Sequence, residues 1–205
     1  MASLYDRFVL PMVINCACGA PSIAHQRAKV VPEAQGRVLE LGMGSGLNLP
    51  FYDAAKVTHV EGLEPSPELR KMAEGKGAGL DLAITDGRAE ALPFESASFD
   101  TVVCTYTLCS VQDPAAALAE SRRVLKPGGR LMFCEHGAAP DLNVEVWQRR
   151  IEPLWKAIAG GCHLTRPVAR AITAAGFHIE RHDQMYVPQV PRWAGWTEWG
   201  VAAPA

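Results

Sequence analysis

The sequence predicts a doubly wound α/β domain. Short apolar runs rich in β-branched residues alternate with helical stretches, and a glycine-rich turn follows the first of these runs. No internal repeat or low-complexity linker marks a second unit, so residues 1–205 form one domain.

An N-terminal segment of helical character covers 1–35. Arg37 to Gly42 (RVLELG) is a short buried strand, followed by the glycine turn and a helix. Val57 to Glu64 is a second strand. Pro67 to Lys76 is a helix, with Ser66 placed to cap it and Pro67 at its first position. Leu80 to Thr85 and Phe99 to Leu108 are the third and fourth strands. Asp113 caps a helix from Pro114 to Leu125 that Lys126-Pro127-Gly128-Gly129 ends, and Arg130 to Glu135 is the fifth strand. Beyond it, Trp147, Ile151, Leu154, Trp155 and Ile158 recur at helical spacing as an apolar stripe, with Arg149 and Arg150 on the opposite, solvated face. A helix from Thr165 to Ala175 stops at Gly176. Phe177 to Val187 and Trp193 to Ala202 are final strands whose short connection favours an antiparallel pair.

At 205 residues the chain can build one sizeable core but not a second independent catalytic domain. A net charge of -2 gives no reason to expect a nucleic-acid partner. No run of about 18 apolar residues is present, so no stable membrane insertion is expected. The start lacks the charged n-region of a secretory signal, and a cytoplasmic location is expected. Of the six cysteines, Cys104 and Cys134 fall within strands as small buried hydrophobes, in keeping with reduced thiols. Cys16-x-Cys18 lacks the second pair that a zinc site uses, so no metal is expected. Oligomeric state is not legible.

Glu40-Leu41-Gly42-Met43-Gly44-Ser45-Gly46 lies at a strand-to-helix turn, where glycines let backbone approach a ligand. A dinucleotide fingerprint would place its third glycine at Leu47, so the spacing is GxGxG and favours a ligand without phosphates. Glu64 ends the second strand, where a carboxylate can accept from both hydroxyls of a ribose; Glu61 is its competitor.

With these residues in view, ELGMGSG, VEGLEPSPEL, AEALPFESASFDTVV and VLKPGGRL resemble the class I S-adenosylmethionine (SAM)-dependent methyltransferases, especially the ubiquinone-biosynthesis-like branch. The resemblance implies a Rossmann-like sheet of seven strands with the last antiparallel, and SAM across the ends of the first strands. It implies a SAM-binding core over 37–136, with substrate-side helices and the final strand pair over 137–205. By the same resemblance Glu40, Gly42, Gly44 and Gly46 line the methionyl end, Glu64 holds the ribose, and Pro65 and Ser66 flank the adenine. Arg88, Ala89 and Thr105 complete the cofactor contacts. Arg88 stands where the usual pattern has an aspartate, so adenine recognition falls to backbone at Arg88 and Ala89, or to Asp86 or Glu90.

A narrower resemblance rests on the segment Cys104 to Val111, Glu135-His136, Trp147-Gln148, Glu152 to Lys156, Gly161 to Arg166, and Trp199-Gly200. It is to the methyltransferase-like 7 group, whose members methylate small alkyl thiols. Its animal members carry an N-terminal membrane anchor that this sequence is not expected to have. The expected product beside the thioether is S-adenosylhomocysteine. A quinone-like ring carbon, a small O- or N-acceptor, or a non-catalytic SAM-binding module are the alternatives.

A thiol needs only a slight push to become the reactive thiolate. His136, after the fifth strand, is the first candidate base and His163 the second; Tyr106 and Arg166 can orient an anionic nucleophile. Each histidine is equally readable as a satisfied turn residue. The tryptophans read as core or cover, or else as pocket walls touching a sulfonium. Cys162 is a packed thiol or a pocket residue. Arsenite methylation would need Cys104, Cys109, Cys134 and Cys162 to converge, and strand alternation puts Cys104 and Cys109 on opposite faces. Tyr5, Asp6 and Arg7 open a segment that packs as a permanent helix or closes as a lid.

Overall fold

The computed structural model describes residues 4–205, without the side chain of Asp6. Seven strands form one sheet: β1 (Gly36–Leu41), β2 (Val57–Leu63), β3 (Leu82–Thr85), β4 (Phe99–Thr105), β5 (Leu125–His136), β6 (Phe177–Tyr186) and β7 (Trp196–Pro204). Their order is β3-β2-β1-β4-β5-β7-β6, and β7 runs antiparallel to both its neighbours. The expected mixed seven-stranded doubly wound α/β sheet is therefore present.

Strand alternation divides the core in two. Leu39, Leu41, Val102, Leu131 and Phe133 face one helical layer with Phe99, Leu118, Ile172 and Phe177. Val38, Val60, Val103, Met132 and Cys134 face the other, with Val30, Val31 and Leu49. The helices are α1 (Leu10–Cys18), α2 (Pro21–Arg27), α3 (Pro67–Ala73), α4 (Pro114–Val124), α5 (Leu142–Ile158), α6 (Val168–Ala174) and α7 (Arg192–Gly195), with a π-helical turn at Tyr5–Val9 before α1. Among the described residues no single helix is long and apolar enough to cross a membrane.

The anticipated caps hold. Ser66 Oγ accepts from Leu69 N, and Asp113 Oδ1 accepts from Ala115 N and Ala116 N. Other expectations change: the helix expected after the glycine turn is only a 3₁₀ turn at Leu49–Phe51, and Trp193 lies in α7 ahead of the last strand. Lys126-Pro127-Gly128-Gly129 does not follow the helix as a free turn; it lies within β5, whose register against β4 slips there, with Gly128 at φ +80°. β4 stops at Thr105, because Tyr106 turns the chain with φ +52°. The stripe on α5 is only partly covered: Trp147, Leu154 and Ile158 stay exposed, while Gln148 is buried. Gln148 goes inside because backbone groups there lack partners, and it serves Ala139 N, Gly137 O and Trp193 O.

Candidate active site

A cleft of about 370 Å³ opens at the carboxyl ends of β1, β2 and β4. Its walls include Gly42, Gly44, Glu64, Pro65, Arg88 and Ala89. This is where a parallel sheet leaves room, on either side of its first strand. Gly44 lies at φ +59°, and a Cβ added there would project into space with only Gly42 O, 3.8 Å away, near it. A Cβ on Gly42 would instead strike Thr107, and one on Gly46 would strike Leu49 and Ala73. Gly42 and Gly44 thus shape the cleft, whereas Gly46 serves the packing of the turn.

Glu64 anchors the opposite wall. Its Oε2 accepts from Gly44 N at 2.9 Å and its Oε1 from Ser66 N at 2.8 Å. Burial pushes its carboxyl above the ordinary range, and these two bonds oppose the shift. Each oxygen keeps a lone pair for a further donor. Glu61, the competitor, is spent on Thr85 Oγ1 at 2.6 Å. Arg88 pairs with Glu90, and Asp86 pairs with Arg70 at 3.0 Å. Glu90 lines the cleft but accepts from Gln112 N, so the adenine side offers mainly Pro65, Arg88 and Ala89.

Two expected cofactor residues lie beneath the wall rather than on it. Glu40 is buried; its Oε2 accepts from Tyr52 Oη at 2.6 Å and its Oε1 from Asn48 Nδ2 at 3.0 Å. Burial raises its carboxyl to about 7 against those bonds. Thr105 Oγ1 accepts from Arg27 Nη1 at 2.6 Å and from Asn48 Nδ2 at 2.9 Å. These bonds tie the ends of β1 and β4 to Arg27, Asn48 and Tyr52. Arg27, Asn48 and Tyr52 carried no signal in the sequence, because their pairing joins separate turns and strands.

On the other side the wall is Tyr106, Thr107, Ser110, Val111 and Gln112. The Arg27 guanidinium lies over the Tyr106 ring at 5.1 Å, and burial holds the Tyr106 phenol well above its ordinary value. Tyr106 thus forms part of the cleft wall. Its ring stacks against His136, with centroids 6.2 Å apart. His136 Nε2 is 2.9 Å from Cys162 Sγ, and the donor atoms of His136, Cys162 and Cys109 all lie within 4.8 Å of one another. The hydrogen bond with Cys162, ahead of burial, sets the Cys109 thiol low, while the same contact pushes Cys162 up. Burial disfavours the His136 cation, yet Cys109 and Glu135 raise it above its ordinary value.

The alternation expected for Cys109 fails because the strand has already ended. Cys104 instead faces Glu135, at 3.4 Å from Oε1. His163 lies in the loop after α5: its Nδ1 meets Glu152 Oε1 at 3.2 Å, and its backbone N–H donates to Cys109 O at 2.8 Å. Arg166 ties down the same loop through Leu108 O and Val111 O. Among the described residues no tryptophan lines the cleft; Trp155 packs edge-on against Trp193, and Lys29 stands 3.5 Å over Trp199.

The N-terminal helices cover this end. Ile14 lines the cleft, Tyr5 Oη donates to Ile158 O at 2.7 Å, and Arg7 pairs with Glu68 at 3.3 Å. Ser45 Oγ lies 2.6 Å from Asn15 Oδ1. The side chain of Asp6, named with Tyr5 and Arg7 above, lies outside the described residues.

Residues 39–133 match the family described as methyltransferase domain. The chain is 43% identical over 147 residues to the thiol S-methyltransferase TMT1B of Rattus norvegicus, covering 68% of this chain and 59% of that protein. It is 40% identical over 152 residues to the Homo sapiens TMT1B, covering 70% and 62%. The chain thus spans about three fifths of these curated relatives. Among solved structures, a SAM-dependent methyltransferase from Thermotoga maritima superposes with TM-score 0.67 at 20% identity, covering 98% of each chain, which supports the fold.

Proposed function

We propose, for a chain that belongs to the methyltransferase-domain family across residues 39–133, that it is an enzyme transferring the methyl group of SAM to a small thiol. The observation that carries the reading is the cleft: a glycine-floored space with a buried carboxylate on one wall and a thiol–imidazole cluster behind the other.

The residues present fit SAM. The space beside Gly44 is one that a Cβ would occupy, and Glu64 retains lone pairs after bonding Gly44 N and Ser66 N. Gly42 and Gly44 would admit the methionyl end, Glu64 would hold the ribose hydroxyls, and Pro65, Arg88 and Ala89 would flank the base. When bound, SAM supplies a methyl group already activated by its sulfonium.

The chain then has modest work to do: place a nucleophile in line, exclude water and ease the loss of one proton. The Tyr106–Gln112 wall orients the acceptor, and the helices around Ile14 shield it. The His136, Cys109 and Cys162 cluster promotes loss of the acceptor proton. A thiol suits such a site, because its ordinary pKa of about 8.5 needs little adjustment. The thiol S-methyltransferase relatives support this choice.

The test is S-adenosylhomocysteine release by the purified chain against alkyl thiols, sulfide, a quinol, a catechol and arsenite. Turnover on thiols is expected. Turnover only on another acceptor would overturn the thiol reading, and cofactor binding without turnover on any of them would favour a non-catalytic module.

A further inference from the structure

We infer that Cys109, His136 and Cys162 form a three-ligand zinc site whose open fourth position takes the acceptor thiol; the second half of this inference rests on the thiol reading above. Three elements deliver the ligands: the loop after β4, the end of β5 and the loop after α5. Cys109 and Cys162 are buried, His136 is half-buried, and their donor atoms lie within 4.8 Å of one another. Tetrahedral zinc, with Zn–S near 2.3 Å and Zn–N near 2.1 Å, needs donors about 3.5 Å apart. The His136–Cys162 contact of 2.9 Å is a hydrogen bond, so replacing its proton by a cation requires opening it by less than about 1 Å.

The surroundings are built to hold these three groups still. Glu135 Oε1 accepts from Thr107 N and Leu108 N, Arg166 binds Leu108 O and Val111 O, and His163 N donates to Cys109 O. Trp155 Nε1 donates to Cys162 Sγ at 3.3 Å, a bond suited to a thiolate. Ser110 Oγ is 3.4 Å from Cys109 Sγ. Independently of the ligands, Glu135 Oε2 is a buried oxygen with no hydrogen-bond partner among the described residues, in the residue next to His136, and burial raises its carboxyl to about 7. A divalent cation nearby would favour the carboxylate form that burial disfavours.

Two sulfurs and an imidazole select a thiophilic ion over magnesium or calcium. Three protein ligands, rather than four, match zinc sites that keep a position open. Tyr106, Thr107 and Ser110, which bracket Cys109 in sequence, line the cleft, so the site adjoins the space where methyl transfer is proposed. Binding of the acceptor would break its S–H bond and release the proton to solvent. The sulfur would fill the open position as a thiolate, with no oxidant or reductant required.

The test begins with the reduced full chain, loaded with Zn²⁺ and dialysed against metal-free buffer, then assayed by elemental analysis. About one zinc per chain is expected, falling to none in a Cys109→Ser/Cys162→Ser variant and in His136→Asn, while Cys16→Ser keeps its metal. S-adenosylhomocysteine affinity, read by calorimetry, reports whether each variant has folded. Cobalt substitution should give a thiolate-to-cobalt absorption band that shifts when an alkyl thiol is added. A folded wild-type chain that retains no zinc overturns the site, even if thiol methylation proceeds. Metal binding without a thiol-induced shift, or undiminished thiol turnover by the metal-free double variant, overturns the acceptor role. Metal binding with no thiol methylation at all points instead to failure of the thiol reading.

Discussion

Replacing Glu64 by glutamine probes the wall proposed to hold the cofactor. In the native chain one carboxylate oxygen accepts from Gly44 N and the other from Ser66 N, at 2.9 and 2.8 Å. Glutamine offers one oxygen and one NH₂, so one backbone N–H must confront another donor. A hydrogen bond to a charged group contributes about 1.5–3 kcal/mol, and the ribose loses one of its two acceptors as well. The expected loss of S-adenosylhomocysteine affinity is about 2–4 kcal/mol, or roughly 30- to 1000-fold in Kd. Calorimetric titration of Glu64→Gln beside Glu61→Gln measures it. Glu61 is equally buried but bonds Thr85 outside the cleft wall, so its variant should bind within about threefold of wild type. Burial raises the Glu64 carboxyl, so wild-type affinity should fall with decreasing pH while still above the ordinary glutamate range; the glutamine variant should lack that decline. Wild-type affinity in Glu64→Gln, or equal losses in both variants, would refute the assignment.

Gly44→Ala should fold with a cost of about 1–2 kcal/mol from its positive φ, yet bind S-adenosylhomocysteine at least about tenfold more weakly, because the added methyl projects into open cleft space; unchanged affinity by calorimetry would contradict this. Glu40 is raised from 4.5 to about 7, so the folded chain holds its proton more tightly than the unfolded one. The stability this contributes is fully present below about 4.5, is lost as pH rises through about 7, and amounts to about 3 kcal/mol. Urea unfolding between about pH 5 and pH 8 should show that decline in the wild type and a flatter profile in Glu40→Gln. Gln148→Leu leaves Ala139 N and the carbonyls of Gly137 and Trp193 without their partner, and should destabilise the chain by about 2–4 kcal/mol in the same assay.

What could be read from sequence followed from local rules. The strands showed as β-branched runs, and Ser66 and Asp113 showed as caps because capping needs only a side chain two or three residues from its N–H. The glycine turn and Glu64 were legible because a strand end fixes where a ligand can approach. Lys126 to Gly129 was misread since the same glycines that stop a helix also admit a bulge into a strand. Periodicity on α5 marked an apolar stripe without saying what would cover it, so exposed Trp147 and buried Gln148 reversed the expectation.

The cysteine cluster shows where such rules stop. Cys109 and Cys162 are far apart in the chain, and alternation carried past Thr105 aimed Cys109 wrongly. Topology brings them together. β4 and β5 are parallel neighbours with Thr105 paired to Cys134, so the residues leaving both strands, Cys109 and His136, emerge side by side. The α5 helix then returns over that edge, and Glu152 at its later turns accepts from Leu164 N and Thr165 N, holding the Cys162 loop against them. Each contact is dictated by sheet order and by one half-buried carboxylate, neither of which has a signature in spacing. The cysteine cluster therefore depends on the packing of α5 in a way that the Gly44–Glu64 wall does not. Loosening Glu152 should disturb the cluster while leaving the Gly44–Glu64 wall intact.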